Sequence, residues 1–222
     1  MKTQIIIVAG GKGQRMQSEI PKQFLLLDKQ PILMHTIKQF ADLDADIFVV
    51  LPPKDISLWK DLVDKHHFTQ KHTIVEGGEE RFFSVKNALD LCSSEGIILI
   101  HDGVRPLIAK TSIQNIIKET IENNSAIPIT DVQESLRLIV KNESMSVDRQ
   151  QYKLVQTPQG FKANLIKESY QQDYSPQFTD DASVFEKMGY TVHLVAGHKE
   201  NIKITSPEDL QLAEYLKSKL IN

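Results

Sequence analysis

Short runs rich in Val and Ile recur along the chain at Gln4 to Ala9, Asp46 to Leu51, Thr73 to Glu76, Gly96 to Ile100, Ala126 to Ile129 and Thr191 to Val195. Runs of this length and composition predict buried β-strands. Between them apolar positions return at helical spacing: Ile32 to Phe40, Ile56 to His66, Phe83 to Cys92, Ser112 to Glu122, Asn164 to Tyr170, Asp181 to Met188 and Glu208 to Leu220. Strands alternating with helices predict an α/β chain, with a mostly parallel sheet covered by helices on both faces. In such sheets ligands sit beyond the carboxyl ends of the strands, so the loops that follow strands are where chemistry is expected.

The stretch from Thr130 to Thr157 breaks the alternation. Leu136 to Val140 alternates and is β-branched, Asn142-Glu143-Ser144 is turn-like, and Tyr152 to Thr157 reads as another strand. Residues 130–157 are therefore expected to form an antiparallel β-arm inserted in a single domain of residues 1–222. A hairpin projecting from a compact domain is only marginally stable alone, which makes a second copy of the chain its simplest packing partner.

Bulk properties narrow the function classes. The chain of 222 residues has a formal net charge of −3, so a general nucleic-acid surface is not expected and any basic site must be local. Cys92 is the only cysteine, which excludes an internal disulfide and a cysteine-based metal cluster; its spacing with Val85, Ala88 and Leu89 marks it as a small buried hydrophobe. No run approaches the roughly 20 apolar residues needed to span a bilayer, and the amino end lacks the apolar core of a secretion signal, so the cytoplasm is the expected location.

Candidate chemistry begins at the tip of the first strand. Ile5 to Val8 breaks into Ala9-Gly10-Gly11-Lys12-Gly13-Gln14-Arg15-Met16, and Pro21-Lys22-Gln23 follows. Glycines at the end of a buried strand let main-chain N–H groups approach a phosphate, and Lys12, Arg15 and Lys22 supply the separate cations that a triphosphate needs. The spacing is not that of the common phosphate loops. A Walker-type loop from Gly10 would need glycine then lysine where Arg15 and Met16 stand, and a dinucleotide fingerprint from Gly11 would need a small residue at Met16.

Three further loops add candidates. Gly77-Gly78-Glu79-Glu80-Arg81-Phe82-Phe83-Ser84 follows the third strand; its acids can complement a helix dipole, and Arg81 and Ser84 can face the crevice of the first loop. His101-Asp102-Gly103-Val104-Arg105-Pro106 follows the fourth strand and puts Asp102 where a carboxylate can hold hydrated Mg²⁺ or accept a substrate hydroxyl. His101 has no partnering nucleophile motif, so it reads as a structural group or one that orients Asp102, and a hydrolase triad is unsupported. Near the end, Lys203 lies between Ile202 and Ile204 in an apparent alternating strand, a poor packing position for lysine. In Phe178-Thr179-Asp180-Asp181, Thr179 reads as a helix cap with the two acids complementing the dipole.

The ordered set of motifs resembles the 2-C-methyl-D-erythritol 4-phosphate cytidylyltransferases across nearly the whole chain. It comprises the A-G-G-x-G-x-R-M loop, Pro21-Lys22-Gln23, G-G-x-x-R-x-x-S, His101-Asp102 with Arg105-Pro106, Val147-Asp148-Arg149, Thr157-Pro158-Gln159, Thr179-Asp180, and Asn201 to Thr205 with Pro207-Glu208-Asp209. The resemblance implies a Rossmann-like fold of the nucleotide-diphospho-sugar transferase type. It also implies transfer of CMP from CTP to a sugar-alcohol phosphate with Mg²⁺, in a homodimer joined through the β-arm. Arg15 and Lys22 would then stabilise charge at the α-phosphorus, while Arg149 and Lys203 would position the acceptor, Arg149 reaching the neighbouring subunit's site. Ala9, Gly10, Gly11, Lys12, Gly13, Gly77, Arg81, Ser84 and the Asp102-Gly103 turn would surround the nucleotide. Asp102, Arg105, Thr130 and Thr157 would line the acceptor side, with Asp102 as the candidate metal ligand. The sequence departs from a commoner family wording at Phe82-Phe83 and at Gly103-Val104, and the latter occurs also in relatives acting on ribitol 5-phosphate. A pentitol-phosphate cytidylyltransferase is thus the near alternative, and a non-catalytic nucleotide-binding subunit the alternative of another class.

Overall fold

The computed structural model describes residues 1–10 and 20–220. In chain order they form β1 (Thr3–Val8), the small pair β2 (Leu26–Leu27) and β3 (Gln30–Pro31), α1 (Ile32–Lys38), β4 (Ala45–Leu51), α2 (Ile56–Lys65), β5 (Thr73–Glu76), α3 (Arg81–Leu91), β6 (Ile97–Asp102) and α4 (Lys110–Asn123). There follow β7 (Ser125–Asp131), β8 (Leu136–Val140), β9 (Glu143–Val147), β10 (Lys153–Val155), β11 (Gln159–Lys162), α5 (Ala163–Ser169), α6 (Asp181–Lys187), β12 (Leu194–Ala196) and α7 (Pro207–Leu220).

The sheet runs β5-β4-β1-β6-β11-β7-β12, with β10 also paired to β7. Strands β5, β4, β1 and β6 are parallel, β11 runs antiparallel between β6 and β7, and β12 is parallel to β7. The three central strands obey a two-faced rule set by the strand period of two. Ile5 and Ile7 of β1, Ile97 and Leu99 of β6, and Val49 and Leu51 of β4 enter one core with Leu33 and Ile37 of α1, Trp59 of α2 and Ile116 of α4. Ile6, Ile98, Ile100 and Val50 enter the opposite core with Val85 and Leu89 of α3, Ile166 of α5 and Phe185 of α6. A polar residue interrupts β1 without cost: Gln4 is buried, its amide accepting from Ser93 N–H at 2.6 Å and donating to Ser93 O at 3.1 Å. Gly96 is needed where that connection enters β6, at φ +80°, because a Cβ there would fall 1.9 Å from Lys2 O.

Register positions the site. Val8 lies opposite Asp102 on one side and Val50 on the other, so β1 and β6 end level with each other. Gly103 N–H then donates to Val8 O at 2.8 Å, and a Cβ on Gly103 would lie 2.7 Å from that of Ala9. The two strand tips are in contact.

The stretch 130–157 is organised differently from the sequence expectation. The projecting hairpin is β8 with β9, Leu136 opposite Val147 and Val140 opposite Glu143, leaving a two-residue loop with Lys141 at φ 54°. Tyr152 to Thr157 does not pair with β8. Its centre, β10, pairs with Ile129–Asp131 of β7, so both ends of the insertion are rooted in the main sheet. The antiparallel β11 was not anticipated, since Gln159-Gly160-Phe161-Lys162 has no β-branched residue, and the last predicted strand begins only at Leu194. Asn201 to Thr205 forms no strand, although Ile204 is fully buried and its N–H donates to Val104 O at 3.0 Å.

Candidate active site

The tips of β1 and β6 open onto a cavity of about 160 Å³ whose walls include Ala9, Gly10, Lys22, Arg81, Ser84, Asp102 and Lys203. Each cation arrives from a different segment: Lys22 from a 3-10 turn at Lys22–Phe24, Arg81 from the first residue of α3, and Lys203 from the loop before α7. A larger cavity of about 460 Å³ lies behind Pro106 and Leu107. It has mostly apolar walls and does not collect these residues.

Asp102 anchors the arrangement. It is buried, and its Oδ2 is shared by Arg105 Nε at 3.0 Å and Lys203 Nζ at 3.1 Å. Burial pushes a carboxyl upward, but the charges of Lys203, Arg81 and Arg105 outweigh it and hold Asp102 far below the usual carboxylate range, ionised at any physiological pH. Arg105 also donates through Nη1 to Asn201 O at 2.8 Å. It braces the two loops against each other and is absent from the cavity wall.

Beneath Asp102 a chain of hydrogen bonds fixes the strand tip. Asp102 N–H donates to Thr157 Oγ1 at 3.0 Å, Thr157 Oγ1 lies 3.0 Å from His101 Nδ1, and His101 Nε2 lies 3.1 Å from Arg105 O. A carbonyl only accepts, so Nε2 carries the imidazole proton and Nδ1 accepts from the threonine hydroxyl. Burial pushes His101 down to about 4, against weaker opposing effects of Asp102 and the Arg105 carbonyl, so the ring is neutral. His101 thus has the supporting place expected of it. Thr157 is buried with its hydroxyl committed to this chain, so the structure puts it under the site and away from the cavity wall.

Arg81 is held from behind. Its Nη1 and Nη2 donate to the two oxygens of Asp181 at 2.7 and 2.5 Å, and Tyr170 Oη donates to the same carboxylate at 2.6 Å. Asp181 stands in the first turn of α6, where the sequence reading puts an acid complementing the dipole, and being fully buried it also grips Arg81 in this bidentate pair. The cap of α6 is Asp180, not Thr179: its side chain accepts from Ser183 N–H at 2.9 Å, and Ser183 Oγ lies 3.3 Å from Asp180 N. The ion pair is not legible in the sequence, because Arg81 and Asp181 stand 100 residues apart. Ser84 ties down its own loop, with Oγ accepting from Gly78 N–H at 3.1 Å.

Other candidates stand outside the cavity wall. Gly77 donates its N–H to Leu51 O at 2.8 Å, and Thr130 sits in the ladder opposite Leu154. Arg149 is exposed in a 3-10 turn after β9, with Nη1 donating to Gln133 O. Gly11, Lys12, Gly13 and Arg15 lie outside the described residues. Among those described, no group of three or more His, Cys, Asp or Glu is placed to hold a metal ion. Among the described residues Asp102 alone of the acids lines this cavity wall, which suits Mg²⁺ carried mainly by nucleotide phosphates, with one ionised carboxylate offered by these residues. Among the described residues no helix is long and apolar enough to cross a membrane.

Known proteins match this chain over nearly its whole length. A family described as 2-C-methyl-D-erythritol 4-phosphate cytidylyltransferase matches residues 3–219. The protein of that name from Bacteroides thetaiotaomicron is 48% identical over 218 residues, 97% of this chain and 100% of its own. The solved structure of the Francisella tularensis 2-C-methyl-D-erythritol 4-phosphate cytidylyltransferase superimposes with a TM-score of 0.81 at 28% identity, covering 97% of this chain and 100% of that one. A bifunctional IspDF from Campylobacter jejuni aligns with 95% of this chain at 29% identity and a TM-score of 0.81, and the chain spans 54% of that longer protein. The chain belongs to the 2-C-methyl-D-erythritol 4-phosphate cytidylyltransferase family.

Proposed function

We propose that the chain transfers CMP from CTP to 2-C-methyl-D-erythritol 4-phosphate, releasing pyrophosphate, as a step of the non-mevalonate route to isoprenoid precursors. A phosphate oxygen of the acceptor attacks the α-phosphorus, a new P–O bond forms, and the bond to the pyrophosphate bridging oxygen breaks. The observation that carries this reading is the convergence of Lys22, Arg81 and Lys203 on one cavity at the tips of β1 and β6.

The chemistry suits those residues. A phosphate monoester loses its second proton with a pKa of about 6, so the attacking oxygen is already anionic at neutral pH and no strong base is required. The barrier lies in bringing two polyanions together and stabilising charge at the crowded phosphorus. Fixed cations do this, and losing one such donor typically costs about 3–4 kcal/mol in the transition state. In this assignment Lys22, with Arg15, faces the α-phosphoryl group; Arg81, Ser84 and the Ala9–Gly13 main chain hold the nucleotide; and Lys203 receives the acceptor. Bound Mg²⁺ would neutralise phosphate charge, with Asp102 as its protein ligand.

Arg149 completes the site from a partner chain. Its absence from this chain's own cavity wall and its place just after the exposed β8–β9 hairpin support a homodimer built through that arm. The cytoplasm suits two water-soluble phosphorylated substrates. The test measures pyrophosphate release with CTP, ATP, GTP and UTP against methylerythritol phosphate and ribitol 5-phosphate. CTP with methylerythritol phosphate is expected to be the preferred pair; preference for ribitol 5-phosphate would reassign the acceptor, and CTP binding without turnover would leave a nucleotide-binding subunit.

A further inference from the structure

Residues Gln156 to Pro158 link β10 to β11, which begins at Gln159, and the polar side chains of Gln156, Thr157 and Gln159 fasten three different parts of the site. Gln156 is buried; its Nε2 donates to His198 O at 2.7 Å and its Oε1 accepts from His198 N–H at 3.2 Å. One primary amide thus pairs in both directions with the loop that leads to Lys203. That loop comes close enough that a Cβ on Gly197 would lie 2.6 Å from Gln156 Oε1. Asn201, two residues before Lys203, donates through Nδ2 to Thr157 O at 2.9 Å, and its own main-chain oxygen takes the Arg105 bond.

Gln159 is fully buried and holds a different segment. Its Nε2 donates to Asp180 Oδ2 at 2.8 Å and its Oε1 accepts from Ala182 N–H at 2.9 Å. The two bonds bracket Asp181, the carboxylate that grips Arg81. Between the glutamines, Thr157 secures the Asp102 tip. Neither glutamine lines the cavity wall, so each reaches the site through these bonds.

We infer that Gln156 and Gln159 are positioning residues that serve opposite halves of the reaction. Gln156 sets Lys203 and Arg105 on the acceptor side, and Gln159 sets Arg81, through Asp181, on the nucleotide side. The assignment rests on the proposed reaction. A purely structural role for both would disturb the two substrates together, whereas separate loops predict separable defects.

Gln156→Leu and Gln159→Leu, made in the full chain, keep most of the side-chain volume and delete both ends of the amide. With the wild type as reference, kinetics should show Gln156→Leu raising KM for methylerythritol phosphate about tenfold while leaving that for CTP within about twofold, and Gln159→Leu doing the reverse. Calorimetric titration with CTP should show weakened binding for Gln159→Leu only. If a leucine variant fails to give a cooperative melt, the unbranched Gln→Met change, which deletes both ends of the amide at similar volume and adds no charge, supplies the same comparison. Equal shifts in both substrates, or none, in an active enzyme would overturn the inference while leaving the reaction intact. A wild-type chain that releases no pyrophosphate would overturn both.

Discussion

His101 shows how a single side chain can be read for both support and stability. Its imidazole is buried, and burial pushes its pKa down to about 4, against about 6.5 in an unfolded chain. Between those values the unfolded chain binds a proton that the folded chain refuses, so stability falls as pH drops from about 6.5 to 4, and changes no further from this group outside that window. The full loss is about 3 kcal/mol. Asp102 stays ionised throughout, since its neighbouring cations hold it below the window. His35 is depressed in the same direction, also by burial, so part of the slope belongs to it. Urea melts at pH 7 and pH 4.5 should show the slope reduced, though not abolished, in His101→Gln; an unchanged slope would show that the ring titrates normally. At this scale the sequence was informative where residue type and place disagreed, as with lysine between Ile202 and Ile204. It was silent where a partner lies far along the chain. Nothing near Asp181 announces Arg81, and Thr157 looks like a ligand residue until its hydroxyl is seen bonded inward.

Among the elements, the arm is the one whose sequence exceeds what its own fold can satisfy. Leu138, Ile139, Val140 and Met145 are all exposed on a two-stranded hairpin, which buries too little apolar surface to be stable alone. Leu138, Val140 and Met145 share one face of the ribbon and Ile139 takes the other, and exposed apolar side chains on both faces fit an interface better than a solvated surface. If the arm builds the proposed dimer, Ile139→Glu, at a position 64% exposed, should leave the chain's own melting behaviour nearly unchanged while moving a wild-type dimer to monomer in sedimentation at micromolar concentration. A variant that sediments like the wild type would place the interface elsewhere. The central strands were legible because burial on both faces demands uninterrupted Ile and Val, as in Ile5-Ile6-Ile7. By contrast β11 and β10 owe their place to neighbours: β11 is accepted between β6 and β7 with a glycine facing Thr120 and Ile116, a fit no local propensity encodes.

For the molecule as a whole, the unit of function is proposed to be two chains, each lending Arg149 to the other. The logic separates this from a site complete within one chain. Lys22→Ala removes a group that lines its own chain's cavity, while Arg149→Ala removes one that stands away from it. If the two act across the interface, a mixed dimer contains one site with neither defect and one site with both. Random re-pairing of equal amounts makes half the dimers mixed, each with one working site of two, so about a quarter of the wild-type rate should return. If both groups act within one chain, every site in every dimer carries a defect and nothing returns. Each variant alone should be at least about 100-fold slower than wild type. The experiment re-forms dimers by mild denaturation and dilution, with wild type carried through the same cycle as the recovery standard. Pyrophosphate release near that quarter would assign Arg149 to the partner's reaction, and a rate no higher than the two variants kept apart would return it to its own chain.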